Sequence, residues 1–301
     1  MRIGFLACPG TLPGSPVRRA DAFEHDRQVA AIAPALAARG IALEVVDWHA
    51  PDAAFAGLPL VLLGTVWDYQ DRYPAFMARI DALEAAGIAL CNPVQVVRWN
   101  IDKRYLADLA ARGAPTIPTI WAEAADAASV EEAFIRFGCE RVVVKRQVGA
   151  GAEGQHSFTR AAPPAPGWRM DRPAMIQPFV PSIESEGELS FILIDGEVSH
   201  ALRKRAAAGD YRIQSVYGGC EEPYAPTSAD LAQVAQVASA LPFPTPLYAR
   251  IDMVRGEDGG LLLMEAELIE PYLYPEQGPD LGERIAAAVA ARIAQATTAR
   301  A

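Results

Sequence analysis

The feature that most constrains the fold is a pair of apolar stretches in residues 247–274, separated by Asp258-Gly259. This dipeptide is typical of a two-residue hairpin turn in which both residues have φ > 0. Because side chains alternate between the faces of a strand, we expect one face to be polar, with Tyr248, Arg250, Asp252, Leu263, Glu265 and Glu267. The other face is predicted to enter a core, with Ile251, Met253, Leu262, Met264 and Leu268.

Such a turn places Asp252 opposite Glu265. It also places Arg250 opposite Glu267. Two carboxylates about 5 Å apart repel each other by roughly 3 to 4 kcal/mol at an effective dielectric constant near 20, and like charges opposite each other weaken a strand pair. A bound cation would remove this cost, and oxygen ligands suit Mg²⁺. The alternative is a solvated polar face on which Arg250 forms salt bridges.

The composition limits the classes of function. With 301 residues, 51% of them hydrophobic, the chain is long enough for a large core in two or three lobes. A net charge of -10 argues against a nucleic-acid or anionic-membrane partner, because both require a basic surface. The 4 cysteines are far apart, so no zinc site or disulfide framework is indicated. No apolar run is long enough for a signal peptide or membrane span, so we expect a soluble, cytoplasmic protein.

The N-terminal part of the chain alternates predicted strands and helices. Strands are expected at residues 3–8, 41–47, 60–63 and 88–91, and helices at 21–39 and 72–86. This alternation is typical of a parallel sheet covered on both faces. Ligands bind beyond the carboxyl ends of such strands. The residues after the third strand, Thr65, Trp67, Asp68 and Tyr69, are therefore candidates for substrate contacts, although Trp67 and Tyr69 could equally cap the core.

The remaining sequence predicts a mixture of helices and antiparallel strands. One helix is expected over residues 94–112, and another ends at Phe137 and begins with a capping box of Ser129 and Glu132. Strands are predicted at residues 141–146, 155–159 and 175–180, and a hairpin at 189–194 and 198–202. A helix capped by Thr227 or Ser228 and a C-terminal helix from about Asp280 complete the pattern.

A glycine-rich loop follows the strand at 141–146. Gly149, Gly151 and Gly154 match G-x-G-x-x-G, which in dinucleotide-binding folds opens a helix. Because residues 155–159 favour a strand here, we expect a flap that covers nucleotide phosphates, with a plain surface hairpin as the alternative. Lys145 directly precedes the loop and could place its ammonium on a phosphate. Lys103 is a second candidate, although a helical lysine is usually solvated.

Three further elements are candidates for nucleotide contacts. The extended segment 177–180, Gln-Pro-Phe-Val, could hydrogen-bond an adenine edge through its backbone, with Phe179 beside the ring. Glu188 begins the next strand and could accept hydrogen bonds from ribose hydroxyls. The positive charge that a transferring phosphoryl group needs could come from Arg203, Lys204 and Arg205. Taken singly, each element is equally consistent with a structural role.

In their order along the chain, these motifs resemble the ATP-grasp superfamily, and the resemblance covers essentially all residues. It rests on Asn100-x-Asp102-Lys103, Val-Val-Val-Lys145 with its glycine loop, Gln-Pro-Phe-Val, Glu188, Arg250-x-Asp252 and Glu265-x-Glu267. Within the superfamily the chain is similar to the glutathione synthetase-like branch. It shares Trp-Asp-Tyr, Trp-Asn-x-Asp-Lys and Glu-x-Glu-Leu-Ile-Glu-Pro motifs with ligases of the O-ureidoserine cyclo-ligase type.

The resemblance implies an α/β fold, with α+β character in the lid, in three parts. An N-terminal pre-ATP-grasp domain with a parallel sheet, on the substrate side, would span residues 1–98. A central ATP-grasp lid subdomain would span residues 99–180. A C-terminal ATP-grasp subdomain with an antiparallel sheet and the Mg²⁺ site would span residues 181–301.

The resemblance also implies an ADP-forming ligase that makes carbon–nitrogen bonds. ATP would activate a small-molecule carboxylate as an acyl phosphate, and an amine would attack it to give an amide or a cyclised product, with release of ADP and phosphate. Two Mg²⁺ ions are expected, with Mn²⁺ as a substitute. No motif identifies the carboxylate or the amine substrate. The sequence is compatible with a homodimer but does not predict one.

The site roles that the resemblance implies fall into two groups. Nucleotide contacts would come from Lys103, Lys145, Gly151, Gln177, Phe179, Val180 and Glu188. The metals would be held by Asp252, Glu265 and Glu267, and the catalytic cations would be Arg250, Arg203 and Lys145. Many superfamily members have Asn at the position of Glu267, so an extra negative charge is expected at the metal site.

Two alternatives belong to other functional classes. A nicotinamide dehydrogenase built on the G-x-G-x-x-G pattern requires a helix directly after Gly154. A nucleotide-binding protein without ligase activity would retain the ATP motifs and lack a substrate pocket.

Overall fold

The computed structural model describes residues 1–149, 154–205 and 219–298. Their strands form sheets of four, four, five and two strands. Among the helices of these residues, none combines the length and apolar character needed to cross a membrane.

The N-terminal lobe is a parallel sheet with strand order β2-β1-β3-β4. Its strands are β1 (Arg2–Ala7), β2 (Ala42–Asp47), β3 (Leu60–Thr65) and β4 (Ala89–Cys91). Its helices are α1 (Phe23–Ala37) and α2 (Tyr73–Ala85), with short 3-10 helices at Asp52–Phe55 and Tyr69–Arg72. Every residue of β3 is buried, as expected for a parallel strand covered on both faces. The predicted alternation is confirmed.

The segment after β4 differs from the prediction. The single helix expected over residues 94–112 is wrong, because the chain forms α3 (Val94–Asn100) and α4 (Tyr105–Ala111). At the break, the backbone N–H of Lys103 donates to the carbonyl of Gln147 at 2.9 Å, so it makes no helical hydrogen bond. This contact carries Lys103 off the helix and towards the strand that ends near Gln147.

A second, antiparallel sheet has the order β5-β10-β7-β8. Its strands are β5 (Ile120–Ala122), β7 (Arg141–Arg146), β8 (His156–Thr159) and β10 (Ala174–Pro178), and β6 (Ala125–Asp126) pairs separately with β9 (Arg169–Met170). Helix α5 (Ala127–Phe137) packs on this sheet. Its capping box is formed by Asp126 and Ser129, so the predicted box of Ser129 and Glu132 is wrong.

The C-terminal sheet is antiparallel, with the order β13-β12-β11-β14-β15. Its strands are β11 (Glu188–Ile194), β12 (Glu197–Arg205), β13 (Cys220–Pro223), β14 (Tyr248–Arg255) and β15 (Leu261–Glu267). Its helices are α6 (Ser182–Ser185), α7 (Ser228–Ser239) and α8 (Leu281–Thr298). Thr227 caps α7, as predicted.

The hairpin of β14 and β15 has the predicted pairing but a different turn. Asp252 lies opposite Glu265, and Arg250 lies opposite Glu267. The two-residue turn is wrong: residues 256–260 connect the strands, and Gly259 has φ +83° while Asp258 has no positive φ. A bulge in β15 compensates for the longer turn. Met253 pairs with Leu263 and Asp252 with Glu265, so Met264 is an extra residue and the register shifts by one between Met253 and Asp252.

The bulge also reverses the faces of the first half of β15. Leu261 and Leu263 are fully buried in the core, whereas Leu262 and Met264 are partly exposed. The expectation for Leu262, Leu263 and Met264 was therefore wrong, because an extra residue in a strand moves every side chain before it to the other face.

Side chains of α3 and α4 satisfy the free backbone edge near the end of β15. The Asn100 amide donates to the carbonyl of Ala266 at 2.7 Å and accepts from the N–H of Leu268 at 2.9 Å. The Tyr105 hydroxyl accepts from the N–H of Ala266 at 2.9 Å. These contacts replace the neighbouring strand that β15 lacks on this edge.

The substitution Asn100→Ala should lower the free energy of unfolding by about 2 to 4 kcal/mol, because two buried backbone groups lose their partners. Urea denaturation of the purified variant measures this loss. Gln95→Ala, an exposed amide in the same helix, is the matched control and should change stability by less than about 0.5 kcal/mol. Similar losses in both variants would contradict the role of Asn100 as an edge clamp.

Candidate active site

Charged side chains from four adjacent strands share one face of the C-terminal sheet. These residues are Glu188, Lys204, Arg250, Asp252, Glu265 and Glu267. The first four are buried, and the side chains of Glu265 and Glu267 are 33% and 29% exposed. Buried charges persist only when they are paired, so the ion pairs define the organisation of this face.

Arg250 and Asp252 form the central pair. The Arg250 guanidinium donates to the Asp252 carboxylate at 2.9 to 3.1 Å and also contacts Glu267. The Ser190 hydroxyl donates to the same carboxylate. Burial alone would raise the pKa of Asp252, but Arg250 and Lys204 outweigh burial and lower it. Arg250 thus forms the salt bridges of the alternative hypothesis, but on a buried face rather than a solvated one.

Lys204 occupies a position that the sequence suggested for Arg203. Its ammonium lies 2.6 Å from Glu188 and 3.4 Å from Asp252. If the strands paired in unbroken register from the two-residue turn at Asp195-Gly196, Arg203 would lie opposite Glu188. A bulge at Ser199, where Ile192 pairs with His200, shifts the register and places Lys204 there instead.

Arg203 consequently lies on the other face of the sheet. Its guanidinium is 3.4 Å from Glu222 and packs over the Tyr224 ring at 5.2 Å. The structure does not bring it together with Arg250 or Asp252. The resemblance implied that Arg203 is a catalytic cation, but Lys204 is the residue on the site face. In the sequence, only its place between Arg203 and Arg205 indicated Lys204.

Two lysines lie beside the glycine loop. The Lys103 ammonium contacts Glu265 at 2.7 Å and the carbonyl of Gly149 at 2.5 Å. Lys145 forms no ion pair with any residue in the described ranges, and burial lowers its pKa, helped by the nearby positive charge of Lys103. Gly151 lies outside the described residues. The loop is followed by β8, so the predicted strand is confirmed and the helix required by the dehydrogenase hypothesis is absent at residues 156–159.

The predicted adenine contacts lie on or just after β10. The Gln177 side chain is buried and donates to Thr119 at 3.0 Å. The Phe179 ring is covered on one face by the Arg141 guanidinium, 3.7 Å from the ring centroid. Val180 is partly exposed at the start of the connection to α6. Glu188, the predicted ribose contact, is instead turned towards Lys204.

Glu270 is a site residue that the analysis of the sequence left without a role. The Trp67 indole donates to its backbone carbonyl at 3.2 Å, and the Tyr69 hydroxyl interacts with its carboxylate. Burial, reinforced by Glu267, raises the pKa of Glu270 to about 8. Burial likewise raises the pKa of Glu267 to about 7. In both groups burial outweighs the neighbouring cations and disfavours the negative charge.

The residues predicted to follow the third strand divide between core and site, and the first of them, Thr65, is the last residue of β3. Thr65 is buried and contacts His25 at 2.7 Å, and Asp68 accepts from Trp48 at 2.7 Å. The Tyr69 ring packs on Phe76 in the core while its hydroxyl reaches Glu270. Tyr69 therefore caps the core, as one of the two alternatives predicted, and its substrate contact stays a prediction.

The predicted metal ligands share a face but do not form a ligand cluster. Within the described ranges, no three His, Cys, Asp or Glu side chains are placed to hold one metal ion together. Asp252, Glu265 and Glu267 are each bound by an arginine or lysine instead.

Comparison with known proteins identifies the family. Residues 3–92 match the family described as D-cycloserine synthetase DcsG, N-terminal domain. The cycloserine biosynthesis protein DcsG of Streptomyces lavendulae is 31% identical over 272 residues, which cover 84% of this chain and 90% of that protein.

Two solved structures extend the likeness to the whole fold. The crystal structure of D-cycloserine synthetase DcsG matches with a TM-score of 0.81 and 26% identity, covering 97% of this chain and 99% of the other. The ATP-grasp ligase PsnB, complexed with minimal precursor, Mg and ADP, matches with a TM-score of 0.63 and 18% identity over 96% and 97% of the chains.

The chain belongs to the ATP-grasp ligases, in the family of DcsG. The protein is therefore a ligase, and the predicted α/β ATP-grasp fold, with a parallel N-terminal sheet and antiparallel sheets elsewhere, is confirmed. The family supports ATP-dependent ligation of a carboxylate to an amine.

The substitution Lys204→Met should lower the free energy of unfolding by about 3 to 5 kcal/mol, because Glu188 and Asp252 stay buried without this cation. Arg203→Met is the matched control on the adjacent residue and should cost about 1 kcal/mol or less, since its ion pair with Glu222 is partly solvated. Chemical denaturation of both variants checks the difference. Equal losses would show that Lys204 does not neutralise the site face.

Proposed function

We propose that the protein is an ATP- and Mg²⁺-dependent ligase that activates the carboxylate of a small molecule as an acyl phosphate and joins it to an amine, with release of ADP and phosphate. The observation that carries this proposal is the cationic environment of the glycine loop. Lys103 is bound to the loop backbone at Gly149, and Lys145 lies beside it without a carboxylate partner among the described residues. An unpaired cation beside a loop of backbone N–H groups suits a phosphate group.

The nucleotide would lie between the second sheet and the C-terminal sheet. In this proposal Lys103, Lys145 and Gly151 contact phosphates, Gln177, Phe179 and Val180 contact adenine, and Glu188 contacts ribose. The ribose contact requires Glu188 to share its carboxylate with Lys204, which now lies 2.6 Å away. We propose the same three-part division as above, with boundaries after residues 98 and 180.

The donor chemistry of the acidic face fits a hard cation. Asp252, Glu265 and Glu267 supply carboxylate oxygens of the kind that Mg²⁺ prefers. Burial raises the pKa of Glu267 although the Arg250 guanidinium lies beside it, so a bound cation would stabilise its ionised form. We propose that these three residues hold two Mg²⁺ ions, with Mn²⁺ as a substitute. The ion pairs of Lys103 with Glu265 and of Arg250 with Glu267 would open to release the oxygens. Bound Mg²⁺ would supply neutralisation of phosphate charge.

The residues of the chain would act by positioning and by charge. Phosphoryl transfer needs no protein nucleophile, because alignment and charge neutralisation provide most of the catalysis. Lys145 would hold the transferring phosphoryl group. Arg250, fixed by Asp252 and by the carbonyl of Tyr272 at 3.3 Å, would stabilise the oxyanion that forms when the amine attacks the acyl phosphate. Arg203 points away from this region, so a catalytic role would require a rearrangement of β12.

The names of the relatives suggest which class of substrate to test first. The name of the cycloserine biosynthesis protein favours a small amino-acid derivative that is closed into a ring, whereas PsnB was solved with a precursor peptide. We favour the small molecule, because the sequence likeness to DcsG is the higher of the two.

The proposed reaction predicts ADP formation that depends on ATP, Mg²⁺ and a carboxylate–amine pair. A coupled ADP assay with pools of amino acids, their ureido and hydroxamic derivatives and short peptides checks it, with mass spectrometry of the product. ATP with Mg²⁺ should also raise the melting temperature. No ADP with any pool and no thermal shift would exclude the proposed activity.

The substitutions Lys145→Met and Glu265→Gln should each weaken the binding of ADP with Mg²⁺ by tenfold or more, because each removes a charge-assisted contact. Isothermal titration calorimetry measures the affinity directly. Glu257→Gln, an exposed carboxylate in the turn of the β14–β15 hairpin, removes the same charge as Glu265→Gln and should leave the affinity within twofold of the wild type. An unchanged affinity in Glu265→Gln would remove this residue from the metal site.

A further inference from the structure

One carboxylate of the site face has no cation of the protein beside it. Glu188 is bound by Lys204, Glu265 by Lys103, and Asp252 and Glu267 by Arg250. Glu270 forms no ion pair with any residue of the described parts of the chain. It is nevertheless close enough to Glu267 and Glu265 for their charges to act on it. A partly buried carboxyl group in this position takes up a proton at neutral pH unless a cation approaches it and stabilises its negative charge.

The surroundings of Glu270 favour an organic cation over a metal ion. The Tyr69 hydroxyl and the Trp67 indole hold the carboxylate and the backbone carbonyl of Glu270 from the loop after β3. Both partners are aromatic side chains that donate hydrogen bonds, so they offer no carboxylate oxygens to complete the octahedral shell of Mg²⁺. An ammonium group needs fewer ligands and forms a charge-assisted hydrogen bond with a single carboxylate.

The position of Glu270 also fits a substrate contact. It lies three residues beyond Glu267, where the C-terminal sheet meets the carboxyl end of the parallel sheet, the edge at which ligands bind in such sheets. Lys103, bound to the glycine loop, influences the Glu270 carboxylate from the nucleotide side. A ligand at Glu270 would thus lie between the loop after β3 and the phosphates.

We propose that Glu270, positioned by Trp67 and Tyr69, binds a protonated amino group on the carboxylate substrate, distinct from the unprotonated amine that attacks the acyl phosphate, and so selects carboxylates that carry this group (amine-bearing substrates). The inference rests on the proposed ligase activity and adds the recognition of one substrate group. Lys145 and Glu270 then have matching roles: neither has an ion-pair partner in the described residues, and one would bind a phosphate of ATP and the other an ammonium group.

Glu270→Gln tests this proposal, because the amide keeps the size of the side chain and its acceptor for Tyr69 but removes the charge. The probe is one amine-bearing compound, taken from the pool that gives ADP with the wild type, together with the N-acetylated form of that compound. In Glu270→Gln we expect the KM for the amine-bearing substrate to rise tenfold or more, with the KM for ATP within twofold of the wild type. Glu270→Asp should restore part of the loss, and Glu257→Gln should change neither value.

Three results would overturn the inference and leave the proposed ligase activity in place, and a fourth would overturn both. An unchanged KM for the amine-bearing substrate in Glu270→Gln would exclude the contact. A matching rise in the KM for ATP, or weaker binding of ADP with Mg²⁺ in calorimetry, would assign Glu270 to the nucleotide or metal instead. Turnover of the N-acetylated form at the wild-type rate would show that no ammonium group is recognised. Absence of ADP formation by the wild type itself would overturn the proposed ligase activity and, with it, this inference.

Discussion

The ion pair of Arg250 and Asp252 is the constraint on which the C-terminal sheet depends. Both side chains are buried, and a buried charge destabilises the fold by several kcal/mol when its partner is missing. Two further charges on this face are tied to the pair: Lys204 through Asp252, and Glu267 through Arg250. In the proposed ligase, anionic and cationic ligands would bind to this sheet by replacing protein partners in its ion pairs.

The clamps around β15 hold this network in register with the rest of the molecule. Asn100 replaces a missing strand at the outer edge, and Asn92 joins the parallel sheet to the hairpin through the carbonyls of Tyr248 and Leu268. The break between α3 and α4 belongs to the same arrangement, because it moves Lys103 to Glu265 and to the glycine loop. Structural amides and site lysines thus lie on the same short segments of the chain.

The sequence predicted those features that follow from periodicity and spacing. The parallel lobe and the strand after the glycine loop followed from alternation and turn signals. The pairing of Asp252 with Glu265 was also predicted, but from a two-residue turn, and it holds because a bulge in β15 compensates for the longer connection. The choice of Lys204 over Arg203 was not, because a bulge at Ser199 has no residue type that marks it. The helix break at Lys103 depends on a hydrogen bond to Gln147, more than forty residues away in the chain, and local propensity carries no information about such a contact.

The bulge at Ser199 has a consequence for how this sheet tolerates change in chain length. Side chains alternate along β12, so loss of the register shift at the bulge would move every later side chain of this strand to the opposite face. Arg203 would then lie opposite Glu188 in place of Lys204. A guanidinium with its fixed fork of donors would then occupy a position now held by a single ammonium. The extra residue therefore fixes the register of β12. Single-residue insertions and deletions in this strand should be far rarer among functional relatives than substitutions at the same positions.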